Sequence, residues 1–214
     1  IFAGAAAGFL TAFLQTKMKI QPILAGIITM TALYSINLMV MDDKANVPIT
    51  QQESIYTAFG SLVGKQAQGM VLSLLVLILA GAAMVLFLKT PFGLSVRATG
   101  DNESMVRSSS INADLTKTAG LMGANACVAL SGAMIAHYNC YAEVRMGIGM
   151  VVIGLASFII GEIAVGIFVK RKGVLSGVIA AAVGSILYRL IIAQALELNF
   201  SSSSLKLITA IIVA

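Results

Sequence analysis

The chain has 214 residues, 58% of them hydrophobic and 11% charged, with a net charge of +5 and a mean hydropathy of +0.95. An average soluble domain carries about 25% charged residues, so this composition excludes a water-soluble globule. The basic residues are dispersed over separate polar segments rather than gathered on one face, which excludes nucleic acid as the partner behind the positive charge. The apolar residues instead collect in runs of about 20, the length a helix needs to cross a hydrocarbon core. The fold class is all-α: a polytopic transmembrane helical bundle with membrane lipid as its solvent.

In chain order, spans are predicted at about 1–14, 23–41, 70–88, 119–136, 147–169, 174–195 and 205–214. Because Ile1 and Ala214 both lie inside apolar runs, we expect one transmembrane domain over 1–214, truncated at both ends. Gly4 and Gly8 give the first span a GxxxG face, the kind that lets helices approach closely in lipid. Pro22 opens the second span as a first-turn proline does. Between Met41 and Gln68 the chain is polar, starting with Asp42 and Asp43, and Gln52–Phe59 is predicted as a short surface helix. Gly60-Ser-Leu-Val-Gly64-Lys65 is a poor phosphate-binding loop: it has one residue too few between its glycines and Gln66 where Ser or Thr is needed. No ATP site is expected there.

Catalytic and metal sites find no support either. Cys127 lies in an apolar span and Cys140 in a short polar turn, a spacing that offers no disulfide framework. His137 is the single histidine and has no second ligand near it in sequence, so no metal is expected. We read it as an interfacial residue at a helix end.

Charge asymmetry orients the spans. Alternation puts nine basic residues (Lys17, Lys19, Lys89, Arg97, Arg107, Lys117, Lys170, Arg171 and Lys172) on one side, and three (Lys44, Lys65 and Arg145) on the other, with Lys206 at its edge. The loop 89–117 is therefore expected in the cytoplasm, and the 42–68 segment and the short turns outside it.

Two ionisable residues, Glu162 and Arg189, fall inside spans. Arg189 lies near the outer end of its span and can snorkel to the interface. Glu162 follows Gly161 in a run interrupted by Gly147, Gly149, Gly154, Gly161 and Gly166, and it sits about 10 Å from the cytoplasmic end of a straight helix. Two readings stay open. Gly154–Gly166 is either a discontinuous helix lining a route across the membrane, or a tightly packed helix whose Glu162 reaches the interface.

The loop 89–117 is the conspicuous polar insertion. Thr99-Gly100-Asp101-Asn102 is turn chemistry; Asp101 or Asn102 can cap a helix, and Glu103 in its first turn suits the helix dipole. A short helix is predicted at Glu103–Ser110, exposing Met105, Val106 and Arg107 before Ile111-Asn112 turns the chain back. Two turns are not stable alone in water, so the helix must be held by its loop, with or without a partner surface. The bland alternative is an amphipathic connector lying on lipid headgroups.

The run GLSVRATGDNESMVRSSSIN resembles the cytoplasmic loop of ABC-importer permeases for branched-chain amino acids and simple sugars. Those loops follow the pattern Arg-Ala-x-Gly-x-Asn-x-x-x-Ala/Val-Arg-x-x-Gly-Ile-Asn. Arg97, Ala98, Gly100, Asn102, Arg107, Ile111 and Asn112 match it, while Ser110 replaces the usual glycine. MGIGMVVIGLASFIIGE and KIQPILAGIITMTALYSINL are similar to the same family, and within it the chain looks like the permeases of tryptophan/tyrosine-type uptake systems. The resemblance implies a permease subunit in a bacterial plasma (inner) membrane, moving a small solute, an amino acid by preference, that an extracytoplasmic binding protein delivers. It implies a second permease copy, as a homodimer, and an ATP-binding cassette subunit that holds ATP and Mg, with no cofactor on this chain and no enzyme activity of its own. It further implies that Gly100, Asp101, Asn102, Glu103, Met105, Val106, Arg107, Ile111 and Asn112 couple to that ATPase, and that Gly149, Gly154, Gly161 and Glu162 contribute to the translocation path. The competing expectation from the residues is an ion-coupled secondary transporter using Glu162.

Overall fold

In the computed structural model, residues 1–49, 68–168 and 173–197 are described. They belong to two units, Ile1–Met146 and Gly147–Ala214, which are taken separately. The expectations for Gln52–Phe59, Gly60–Lys65, Lys170–Lys172 and the span 205–214 lie outside the described residues.

The first unit contains α1 (Phe2–Thr16), α2 (Pro22–Val40), β1 (Asn46–Pro48), α3 (Gln68–Lys89), α4 (Pro91–Asp101), α5 (Glu103–Ser108), α6 (Ala113–Asn139) and β2 (Tyr141–Glu143). The second contains α7 (Met150–Phe168) and α8 (Val174–Glu197). Among the described residues, five helices are long and apolar enough to cross a membrane: α2, α3, α6, α7 and α8. Their apolar side chains point outward as well as inward. On α3, Leu74, Leu75, Leu77, Ile78 and Leu79 are all exposed, the all-round apolarity of a helix solvated by hydrocarbon. This is a multi-pass helical membrane protein.

Packing inside the first unit depends on missing side chains. Gly4 of α1 lies against Asn125 and Ala129 of α6, and a Cβ added at Gly8 would sit 2.5 Å from Leu121 O and 2.8 Å from Met122 Cα. The rising number on α1 meets a falling number on α6, so the two helices run antiparallel with their backbones touching, as the GxxxG face predicts. The end of α1 that carries Lys17 therefore lies toward the start of α6, where Lys117 lies. Thr11 Oγ1 donates to Thr29 Oγ1 at 3.0 Å, a buried tie from α1 to α2.

At the other end of α6, Cys140 ends the helix in the left-handed conformation at φ +59°. The chain then forms β2, which pairs antiparallel with β1 in the register Asn46↔Glu143, Val47↔Ala142 and Pro48↔Tyr141. This ribbon joins the segments following α2 and α6, two connections that the charge asymmetry assigns to the same side of the membrane.

In the second unit, α7 runs unbroken from Met150 to Phe168. The discontinuous-helix reading of Gly154–Gly166 is thereby corrected. The glycines interrupt the apolar run in sequence without interrupting the hydrogen-bond ladder, because a helix needs no side chains to close it. What they permit is contact: Gly161 lies against Ala180 O, and Gly184 of α8 against Ser157 O. A Cβ at Gly184 would also meet Gly161 Cα at 2.8 Å.

Candidate functional site

The polar segment between α3 and α6 is built as two short helices rather than a loop followed by one. Thr90 starts the first: its Oγ1 accepts from Gly93 N at 3.0 Å, and Pro91 takes the first helical position, where its missing N–H costs nothing. The corner is tight. Gly93 packs on Phe87 O, and a Cβ there would fall 2.6 Å from Leu88 Cα. Phe87 and Phe92 brace the bend edge to face, with ring centroids 6.3 Å apart. α4 was not anticipated in the sequence.

Asn102 joins α4 to α5. Its N–H donates to Ala98 O at 2.9 Å, closing α4. Its Oδ1 accepts from Met105 N at 3.1 Å and from Ser104 Oγ at 2.7 Å, opening α5. Of the two caps the sequence offered, Asn102 is the one used. α5 ends at Ser108 rather than Ser110, because Ser110 takes φ +60° and leaves the helical region. Asn112 then caps α6, its Oδ1 accepting from Asp114 N at 3.1 Å and Leu115 N at 3.2 Å. With this cap the helix starts at Ala113, well before Ala119.

Three ties hold this element in place, two of them to α6. The first is buried: Thr99 Oγ1 and Thr116 Oγ1 are 2.8 Å apart, joining α4 to α6. The second is Val106, 2% exposed. Its expected exposure is thus corrected: of the three residues assigned to the outer face of α5, Val106 turns inward. The third tie is a set of ion pairs. Arg107 Nη2 is 2.9 Å from Glu103 Oε1 and also contacts Asp114 Oδ1, while Lys117 Nζ lies 2.5 Å from Glu103 Oε2. Hydrogen bonds from Lys117 and then Arg107 hold the Glu103 carboxyl below the ordinary glutamate range. Hydrogen bonds that Arg107 donates to Asp114 and then to Glu103 push its guanidinium up.

The surface left outward is mainly apolar and hydroxylic. Met105 is 60% exposed, Ile111 is exposed beside it, and Gly100, Asp101 and Ser104 are exposed as well. Asn102, Glu103, Arg107 and Asn112 are occupied within the chain. The nine residues predicted to couple are therefore brought together, but as two sets: an outward face and an internal scaffold. Sequence reasoning missed Thr99, Thr116, Asp114 and Lys117. Thr90-Pro91 could have revealed α4 by its capping chemistry, whereas contacts between separate helices leave no local sign.

The residues assigned to a path are not gathered into one site. Gly149 stands in the turn before α7 at φ +85°, where only glycine is unstrained. Gly161 is a packing residue, Gly154 has open space around it, and Glu162 is exposed. Gly154, Gly161 and Glu162 string along about 12 Å of α7, with Gly149 outside it.

Five helices of membrane-spanning length and, within the first unit, a capped element tied to the start of α6 define a multi-pass membrane protein with one firmly held polar insertion. The comparison with known families says which kind. The family model described as "Branched-chain amino acid transport system / permease component" matches residues 1–214, and the chain belongs to that family. It is a transport permease, not an enzyme. The Tyrosine transport system permease protein of Clostridioides difficile (strain R20291) is 38% identical over 213 residues, covering 100% of this chain and 68% of that protein. An uncharacterized protein of Rickettsia prowazekii (strain Madrid E) is 26% identical over 212 residues, covering 99% of this chain and 74% of its own length. No solved structure matches the chain.

Proposed function

We propose that this permease is the membrane-spanning subunit of an ATP-driven importer, and that α5 with Ile111 is the surface on which an ATP-binding cassette subunit docks. The observation that carries this reading is the construction of α5. A two-turn helix with no stability of its own is capped at Asn102, anchored through Val106 and braced by three ion pairs, so that Met105 is held outward. A connector on lipid headgroups has no use for such bracing. The ATPase holds ATP and Mg, an extracytoplasmic binding protein supplies the solute, and a second permease copy completes the pathway in a bacterial inner membrane, with residues 89–117 in the cytoplasm.

The solute is an amino acid, and the named relative makes tyrosine the first to try. Glu162 and the glycines at 149, 154 and 161 remain the residues proposed for the path. The test is direct: the tagged full-length protein, isolated from its own membrane, should bring an ATPase with it and take up labelled tyrosine only when ATP is supplied. Met105→Glu should abolish that co-purification, because a carboxylate would be desolvated in an apolar contact. Uptake that survives ATP depletion while an ion gradient is kept would instead support the secondary transporter working through Glu162.

A further inference from the structure

We propose that Asp114 and Lys117, in the first turns of α6, are positioning residues that clamp the docking helix to the membrane helix so that the two move as one body. This rests on the docking reading above and adds to it how a displacement of α5 reaches the bilayer.

The need for a clamp follows from the joints of α5. On one side a single extended residue, Asn102 at φ −155°, separates it from α4; on the other, residues 109–112 include Ser110 in the left-handed conformation. Both joints are points where the backbone turns, so the backbone alone transmits little. Val106 anchors α5, but an apolar contact has no preferred direction and resists sliding poorly. The ion pairs do have direction. Glu103 uses both carboxylate oxygens, one toward Arg107 on its own helix and one toward Lys117 on α6, and Arg107 reaches on to Asp114 of α6. The chain of contacts Asp114–Arg107–Glu103–Lys117 starts and ends on α6 and passes through α5.

The clamp is also suited to being covered. It contains two acids and two bases, so a partner that covers it buries no net charge. Its side chains are between 31% and 50% exposed, and in water such pairs contribute little. When a protein surface replaces the water, each charge keeps its partner, so the loss of hydration falls on a paired set and not on a lone ion. Arg107 acquires a different role from Met105: its charge is satisfied within the chain, so it acts through α6 and not on the partner.

The experiment uses the assembled transporter in proteoliposomes and reads solute moved per ATP hydrolysed. Lys117→Met and Asp114→Asn should leave ATPase co-purification and basal hydrolysis unchanged while lowering that ratio about threefold, the scale of a direct side-chain coupling. Lys117→Arg should restore it. Glu103→Gln, which weakens the pairs to both Arg107 and Lys117, should lower the ratio at least as far as Lys117→Met, and adding Lys117→Met to it should lower it no further. Normal ratios in the single variants, or effects that multiply in the double, would overturn the clamp. Hydrogen exchange of peptide 103–110 in the permease alone separates the two ideas. If no ATPase is recovered with the wild type, the docking reading fails; the clamp then stands if Lys117→Met speeds exchange there and falls if it does not.

Discussion

Ser110 has a left-handed backbone, φ +60°, at the position where the family pattern carries glycine. The turn that returns the chain from α5 to α6 requires that conformation, and an L-residue held in it costs roughly 1–2 kcal/mol. Ser110→Gly should therefore stabilise the α5–α6 junction by about 0.5–1 kcal/mol, part of the relief being offset by the freedom glycine gains in the unfolded chain. Slower hydrogen exchange at 103–112 is the expected result. Ser110→Val should do the reverse, since a β-branched residue at positive φ is a genuine outlier. Serine at this position is a strained compromise, and the rest of the junction compensates for it: Ser108 and Ser109 hydroxyls both bond Met105 O, at 2.7 and 3.0 Å.

At the scale of elements, two kinds of contact build the molecule, and they differ in how openly the sequence declares them. Close glycine packing is one. Gly161 and Gly184 put α7 and α8 backbone to backbone, so Gly161→Leu meets a carbonyl that cannot step aside. It should cost about 3 kcal/mol, the upper range of overpacking, in reversible unfolding in detergent. Gly177→Leu on α8 has open space and should cost less than about 1 kcal/mol. The other kind is the charged brace of α5. Lys117 and Arg107 hold Glu103 ionised below its ordinary range, so the brace contributes fully above the unfolded glutamate value of about 4.3. It is lost only as pH falls through the lower folded value. The protection factor at 103–110, with the intrinsic pH dependence of amide exchange divided out, should accordingly stay flat from pH 7 to about 5 and fall only under more acid conditions. α5 was legible because Asn102 and Glu103 announce a helix start within four residues. Val106 was misplaced because periodicity cannot orient a helix of under two turns. The Thr99–Thr116 and Glu103–Lys117 contacts join residues 17 and 14 apart on different helices, and no local pattern encodes such pairs.

For the whole molecule, the question the sequence answers by counting charges is which end faces the cytoplasm, and the first unit supplies a geometric check. α6 is 27 residues long, about 40 Å of helix, and its two ends hold basic residues in unequal number. Lys117, Arg107 and, through the antiparallel α1, Lys17 and Lys19 cluster toward its start. The β1–β2 ribbon lies at its finish, where Asp42, Asp43 and Glu143 are accompanied by only two basic residues of the described segments, Lys44 and Arg145. Positive charge resists translocation and acidic residues scarcely influence it, which supports the proposed placement of the start of α6 inside. Val47 and Ala142 face each other directly in the ribbon, and opposed residues in an antiparallel pair bring their Cβ atoms to about 4.5–5.5 Å, near enough for a disulfide after slight adjustment. In a background with Cys127 and Cys140 changed to serine, Val47→Cys with Ala142→Cys should crosslink when intact cells are treated with a membrane-impermeant oxidant. Ser104→Cys on α5 should react with an impermeant maleimide only after the membrane is opened. The two outcomes together fix the orientation; labelling of Ser104→Cys in sealed cells would invert the molecule and place the docking surface on the side where no ATP is available.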